Sequence, residues 1–260
     1  MRALVIGRGI QGQRWKNNLE GRYEVEIYGR DYREKLRIGR KYNIIIISVP
    51  HHAFKEVSET LRKYGISGER VIVEKPGASS FEDFKAVKEN LEYVSGKLEM
   101  FLPLYIQYKP YINDGILKTR KITYITKLNL DEILYQDENF IYLKSGRCID
   151  PNVLRDLYFH PASFYSFNSG ILSGFILASR TVNGFYKIYE FENPFWGIRM
   201  VVGRDREECR TIDKEPIKFD NPMKRHIENE YEELCLDKLP KIIWGELERI
   251  LSLDNILNSA

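Results

Sequence analysis

Apolar residues open the chain as a short uninterrupted block in "RALVIG" and return as the block "NIIIISVP" and again in "RVIVEK". Unbroken aliphatic runs of this length are expected of strands buried on both faces in a parallel sheet. Between the blocks the pattern changes period. In "AFKEVSETLRKYG", Phe54, Val57 and Leu61 fall three and four apart, and Phe84, Val87 and Leu91 do so in "SSFEDFKAVKENLEYVSG". Those spacings predict helices with one apolar stripe, the second capped at Ser80 with Glu82 and Asp83 in its first turn. "QRWKNNLEG" reads as a helix closed by Gly21, "YEVEIYG" as a strand, "YREKLRIGRKY" as helix-compatible and "KLEMFLPL" as a strand. Strands alternating with helices predict right-handed βαβ units in a doubly wound sheet, with "NIIIISVP" central.

Near residue 118 the texture shifts. "RKITYITKLNLDEILY" and "GFILASRTVNGFYKIYEFENPFWGIRMVVG" alternate, are rich in β-branched and aromatic residues, and contain turn signals at Asn183-Gly184 and Asn193-Pro194. The reading is two domains: 1–117, a Rossmann doubly wound parallel sheet, and 118–260, a smaller α+β domain on an open, mostly antiparallel sheet. A helix is expected after Asp150 with Pro151 in its first position. "PMKRHIENEYEELCLDKL" and "PKIIWGELERILSLDNIL" read as two C-terminal helices able to cover a sheet or pack back on the first domain.

Composition narrows the partners. The 260 residues are 43% hydrophobic and 30% charged, and 40 basic residues against 37 acidic ones give +3. That balance suits a soluble globular protein and lacks the clustered basic patch of a nucleic-acid binder. Cys148, Cys209 and Cys235 are odd in number and far apart, matching neither a disulfide framework nor a zinc site, so a reducing cytoplasm is expected and no metal. The longest aliphatic run is far shorter than the roughly 20 residues that span a bilayer, so no membrane role is expected.

The chemistry is concentrated at strand ends. Gly7, Gly9 and Gly12 have G-x-G-x-x-G spacing between the first strand and its helix, with Arg8, Ile10 and Gln11 completing the loop. This context predicts a dinucleotide site: glycines let the backbone approach a pyrophosphate, whose charge meets the positive end of the helix. After the second strand, Gly29 stands where an acid would take the ribose 2′-hydroxyl of NAD, with Arg30 beside it to suit the 2′-phosphate of NADP; shifting the register by two makes Asp31 the acid and favours NAD. NADP is the expectation, with NAD possible. Val49, Pro50 and His51 follow the central strand and Glu74 and Lys75 end the next, at the carboxyl edge where such sheets bind ligands. His52 is placed with His51 at the cofactor cleft, His226 at the surface among charges, and the Lys75–Pro76 bond is expected to be trans.

"GRGIQG", "SVPHHA" and above all "EKPGASS" resemble the glucose-fructose oxidoreductase/inositol dehydrogenase (Gfo/Idh/MocA) family, over roughly the first half of the chain. The resemblance implies a Rossmann domain followed by an α/β domain on an open sheet, and a lysine, here Lys75, beside the nicotinamide and the reacting carbon. It also implies an Asp-x-x-x-His pair on a helix, matched by Asp156 and His160 in "DLYFH". Independently, residues four apart share a helix face, and a histidine suits proton transfer near neutrality. The chain departs from the family at Phe54, where a histidine is common, and in the "KSGRCIDPNVLRD" approach to the pair. The expectation is an NAD(P)-dependent dehydrogenase acting on a sugar, cyclitol or related polar small molecule. Its alternatives are a biliverdin-reductase-like reductase of a C=C or C=N bond and a catalytically silent dinucleotide sensor. A homodimer through the second-domain sheet is expected.

Overall fold

The computed structural model describes residues 1–107, 121–127, 133–136, 141–144, 148–149, 158, 176–182, 186–193, 198–205, 209–212, 215–216, 221–229, 231–237 and 244. The chain divides into two compact units, one of Met1–Leu102 with Met223–Trp244, the other of Pro103–Pro222 with Gly245–Ala260.

In the first unit β1 (Arg2–Ile6), β2 (Glu24–Tyr28), β3 (Lys41–Ile47), β4 (Ser67–Glu74) and β5 (Leu98–Phe101) form a parallel sheet in the order β2-β1-β3-β4-β5. The aliphatic blocks become its middle, and Leu4, Ile45, Ile46 and Val73 are fully buried. The helices are α1 (Ile10–Leu19), α2 (Tyr32–Lys35), α3 (Phe54–Lys63) and α4 (Phe81–Glu92). Gly12, Trp15 and Leu19 form the buried stripe of α1, and the expected stripes of α3 and α4 are buried as well. Ser80 caps α4, its side chain accepting the Asp83 N–H at 3.1 Å. Because the order reverses between β1 and β3, right-handed crossovers send α1 to one face and α3 and α4 to the other. In open α/β sheets such a reversal is where ligands bind, outside the carboxyl ends of the two strands.

Three local readings are corrected. The helix expected over "YREKLRIGRKY" is one turn: Leu36 turns extended, Gly39 takes φ +72° and donates to the Tyr64 carbonyl, and Lys41 already starts β3. The run from Pro222 is a helix only to Glu228, followed by a short 3-10 turn at Glu232–Leu234. It breaks because the chain then lies along the edge of β5, where Leu236 donates to the Leu98 carbonyl at 3.0 Å and Cys235 bridges Glu99. An otherwise open sheet edge is thereby covered.

The third correction is His226, which is fully buried, not at the surface. Its Nε2 lies 3.0 Å from Glu99 Oε2, its ring stacks on Phe101, and Arg70 pairs with the same carboxylate at 2.5 Å. Arg70 also donates to the His226 carbonyl at 2.7 Å. Burial pushes the imidazole below its ordinary pKa, while His226 and Arg70 hold the Glu99 carboxyl low in spite of its burial. The surrounding charges that suggested solvent belong to the other faces of a short helix.

In the second unit β6 (Lys121–Lys127), β10 (Ile176–Val182), β11 (Tyr186–Asn193), β12 (Ile198–Asp205), β13 (Cys209–Ile212) and β14 (Glu215–Pro216) form a sheet in the order β10-β11-β12-β6-β13-β14. Only the β12–β6 pair is parallel. The strands flank the expected turns, pairing Val182 with Tyr186 and Asn193 with Ile198. A separate antiparallel sheet is made of β7 (Ile133–Gln136), β8 (Ile141–Leu143) and β9 (Cys148–Ile149). The helix expected after Asp150 lies outside the described residues apart from Tyr158, and the final helix outside them apart from Trp244.

Candidate functional site

The loop after β1 is built by close backbone packing. Gly7 has φ +116°, donates to the Tyr28 carbonyl at 2.8 Å, and lies so close to β3 that a Cβ there would stand 1.9 Å from the Ser48 carbonyl oxygen. A Cβ on Gly12 would stand 1.6 Å from the Gly7 oxygen, so these two glycines let α1 sit directly on the loop. Gly9 differs: a Cβ there meets nothing within 4 Å. It is the N-cap of α1, no side chain caps that end, and the first turn holds no acid. The free N–H groups of the helix start, the positive end of its dipole and open space at Gly9 together fit a phosphate anion. Ile10 and Gln11, both half-buried, begin the helix.

At the end of β2, Arg8 and Asp31 form an ion pair at 3.7 Å. Asp31 also takes Lys35 at 2.5 Å and the Gly29 N–H at 3.1 Å, and these partners, Lys35 foremost, hold its carboxyl below the usual range. Arg30 is exposed next to it. Both groups weighed for the cofactor ribose therefore stand at one strand end, and the acid is accompanied by two cations. After β3, Val49 is half-buried, Pro50 exposed, and His51 and His52 enter a 3-10 turn with their rings 5.8 Å apart and nearly perpendicular.

After β4 the Lys75–Pro76 peptide is cis where trans was expected, and Gly77 takes φ +81° against the ring of Phe84. Lys75 is half-buried at the carboxyl end of its strand. Glu74 is buried in the core: its Oε1 accepts the Trp15 Nε1–H at 2.7 Å, and burial pushes its pKa up to about 7 although Trp15, Lys75 and Gln11 favour the charged form. The ring of Trp15 meets Phe101 edge-on at 4.8 Å. Sequence reasoning missed this Trp15–Glu74 bond. The signal available was Trp15 on the Gly12-to-Leu19 stripe, which announces a buried indole but not its partner.

The loops after β1, β2, β3 and β4 thus share the carboxyl edge of one sheet, gathering Gly7 to Gly12, Gly29 to Asp31, Val49 to His51 and Glu74 with Lys75. Asp156 and His160 lie outside the described residues. Among the described residues no helix is long and apolar enough to cross a membrane.

No protein-family model and no curated protein matches the chain. Solved structures do resemble it. UDP-N-acetylglucosamine 3-dehydrogenase GnnA from Acidithiobacillus ferrooxidans aligns over 96% of both chains at 10% identity and TM-score 0.65. The WlbA dehydrogenase from Thermus thermophilus, solved with NAD and UDP-GlcNAcA, aligns over 94% of this chain and 92% of its own at 13% identity and TM-score 0.58. A biliverdin reductase from Synechocystis, solved with biliverdin and NADP+, covers 86% of this chain and 87% of its own at 11% identity and TM-score 0.56. At these identities what is shared is the fold, a Rossmann-like α/β architecture.

Proposed function

We propose that this chain is an oxidoreductase of the Gfo/Idh/MocA type that transfers hydride between a nicotinamide dinucleotide and a secondary alcohol or carbonyl of a sugar, cyclitol or related polar molecule. The observation that carries the reading is the open Gly9 at an uncapped helix N-terminus, on the same sheet edge as Lys75. Neighbours of the same fold include a dehydrogenase solved with NAD and a nucleotide sugar. The nicotinamide supplies or takes the hydride when bound. Lys75 polarises the substrate oxygen, His160 exchanges its proton, and Asp156 orients the imidazole or binds a neighbouring hydroxyl. Reduction of a C=C or C=N bond is the second reading, favoured by the biliverdin reductase of the same fold.

NADP is the proposed cofactor, because Arg8, Arg30 and Lys35 place cationic side chains around the end of β2 and Asp31 is already paired. Charge-assisted contacts to a 2′-phosphate contribute about 1.5 to 3 kcal/mol each, enough for a preference of tenfold or more. Titration with NADPH and NADH checks this, and Arg30→Ala should remove most of the preference. Tighter binding of NADH by the unaltered protein would reverse the assignment and give the ribose to Asp31. Loss of nicotinamide absorbance with a panel of sugar and nucleotide-sugar ketones tests turnover, and binding without turnover across that panel would favour a sensor.

A further inference from the structure

Glu74 is the residue next to Lys75, yet it is buried where the lysine is only half-buried. Its carboxyl meets α1: Trp15 Nε1 donates to it at 2.7 Å, and Gln11, in the first turn of that helix, favours its charged form. Gln11 is itself held by Arg14, whose guanidinium donates to Gln11 Oε1 at 3.0 Å. The carboxyl is therefore hydrogen-bonded to the helix that starts at the open Gly9.

We infer that Glu74 is a positioning residue of the dinucleotide site, anchoring α1 through Trp15 instead of touching the cofactor. The inference rests on the proposed cofactor reading. Its consequence is electrostatic. The charged groups that bear on Glu74 are Lys75, next in the chain, and Arg14 on α1, and both favour the carboxylate, but burial outweighs them and pushes the pKa up to about 7. Anionic phosphates arriving at the same helix end favour the neutral form. Dinucleotide binding then takes up part of a proton, and affinity falls as pH rises through about 7.

Three proteins test this: the unaltered chain, Glu74→Gln and Trp15→Phe, each titrated with NADPH and NADH between about pH 6 and pH 8. Glutamine keeps an acceptor for Trp15 but loses the charge, so Glu74→Gln should match the unaltered protein at the acid end. At the alkaline end it should bind about three- to tenfold more tightly. Because any titration of the ligand itself is common to both proteins, the ratio of their dissociation constants isolates Glu74. Trp15→Phe removes the donor and should weaken binding about tenfold at every pH, with a cooperative thermal transition showing that it is folded. A ratio that stays constant with pH, or a folded Trp15→Phe protein that binds normally, overturns the inference and leaves the cofactor reading intact. Binding of neither dinucleotide by the unaltered protein overturns both.

Discussion

Lys75 and Glu74 are adjacent in sequence and opposite in environment. The lysine is half-buried at a strand end, while the carboxyl before it is sealed against Trp15. The strand ends between them: Glu74 is the last residue of β4 and packs inside, while Lys75 opens the loop at the carboxyl edge. If Lys75 polarises the reacting oxygen, Lys75→Met removes an interaction strongest where negative charge develops. Turnover should then fall about 100-fold or more while cofactor affinity holds. His160→Asn should lower turnover by about 100- to 10,000-fold and remove the limb of the pH–rate profile near neutrality. Stopped assays with any substrate the carbonyl panel reveals check both, and normal turnover in the two variants would remove the assignment of roles. A surface lysine would leave turnover nearly unchanged.

At the scale of elements, the glycine loop separates packing from binding. Gly12→Ala sets a methyl group 1.6 Å from a backbone oxygen that cannot rotate away, so the junction of β1 and α1 must shift. A loss of about 2 kcal/mol or more is expected, visible as a lower unfolding midpoint. Gly9→Ala places its methyl group in open space, so the unfolding midpoint should stay within about 0.5 kcal/mol of the unaltered protein. The same methyl group stands where the phosphates approach, and dinucleotide affinity should fall at least tenfold. Equal destabilisation by the two substitutions, or unchanged affinity in Gly9→Ala, would mean that the space at Gly9 receives no ligand. Calorimetry and cofactor titration on the same two proteins give both readouts.

For the whole molecule the open question is assembly. In the second unit, strand register aligns Phe191, Met200, Ile122 and Ile212 across β11, β12, β6 and β13, and aligns Tyr189, Val202 and Tyr124 two positions away. Val201, Ile125 and Ile188 occupy the alternate positions, so both alternations of the sheet carry apolar residues. Water on both faces would expose a patch larger than soluble monomers ordinarily carry. We propose that helices cover one face and a second copy the other, in a two-fold dimer. Light scattering should give twice the chain mass of 30.7 kDa at micromolar concentration, and a single-chain mass would contradict the proposal.

Local pattern alone was enough to predict the strand blocks, the stripes of α3 and α4, the Ser80 cap and the glycine loop between β1 and α1. Each depends on neighbours within a few residues, through backbone sterics, side-chain periodicity or a single hydrogen bond. It was not enough for His226, Glu74 or the run after Pro222. His226 is buried because Glu99 and Arg70, more than a hundred residues earlier in the chain, provide its partner. Glu74 turns inward because Trp15 waits there, and the C-terminal helix stops where the edge of β5 offers a carbonyl at Leu98. Whether a charged side chain faces water or a buried partner is decided by desolvation against a specific contact, and that contact exists only once the sheet has brought distant residues together.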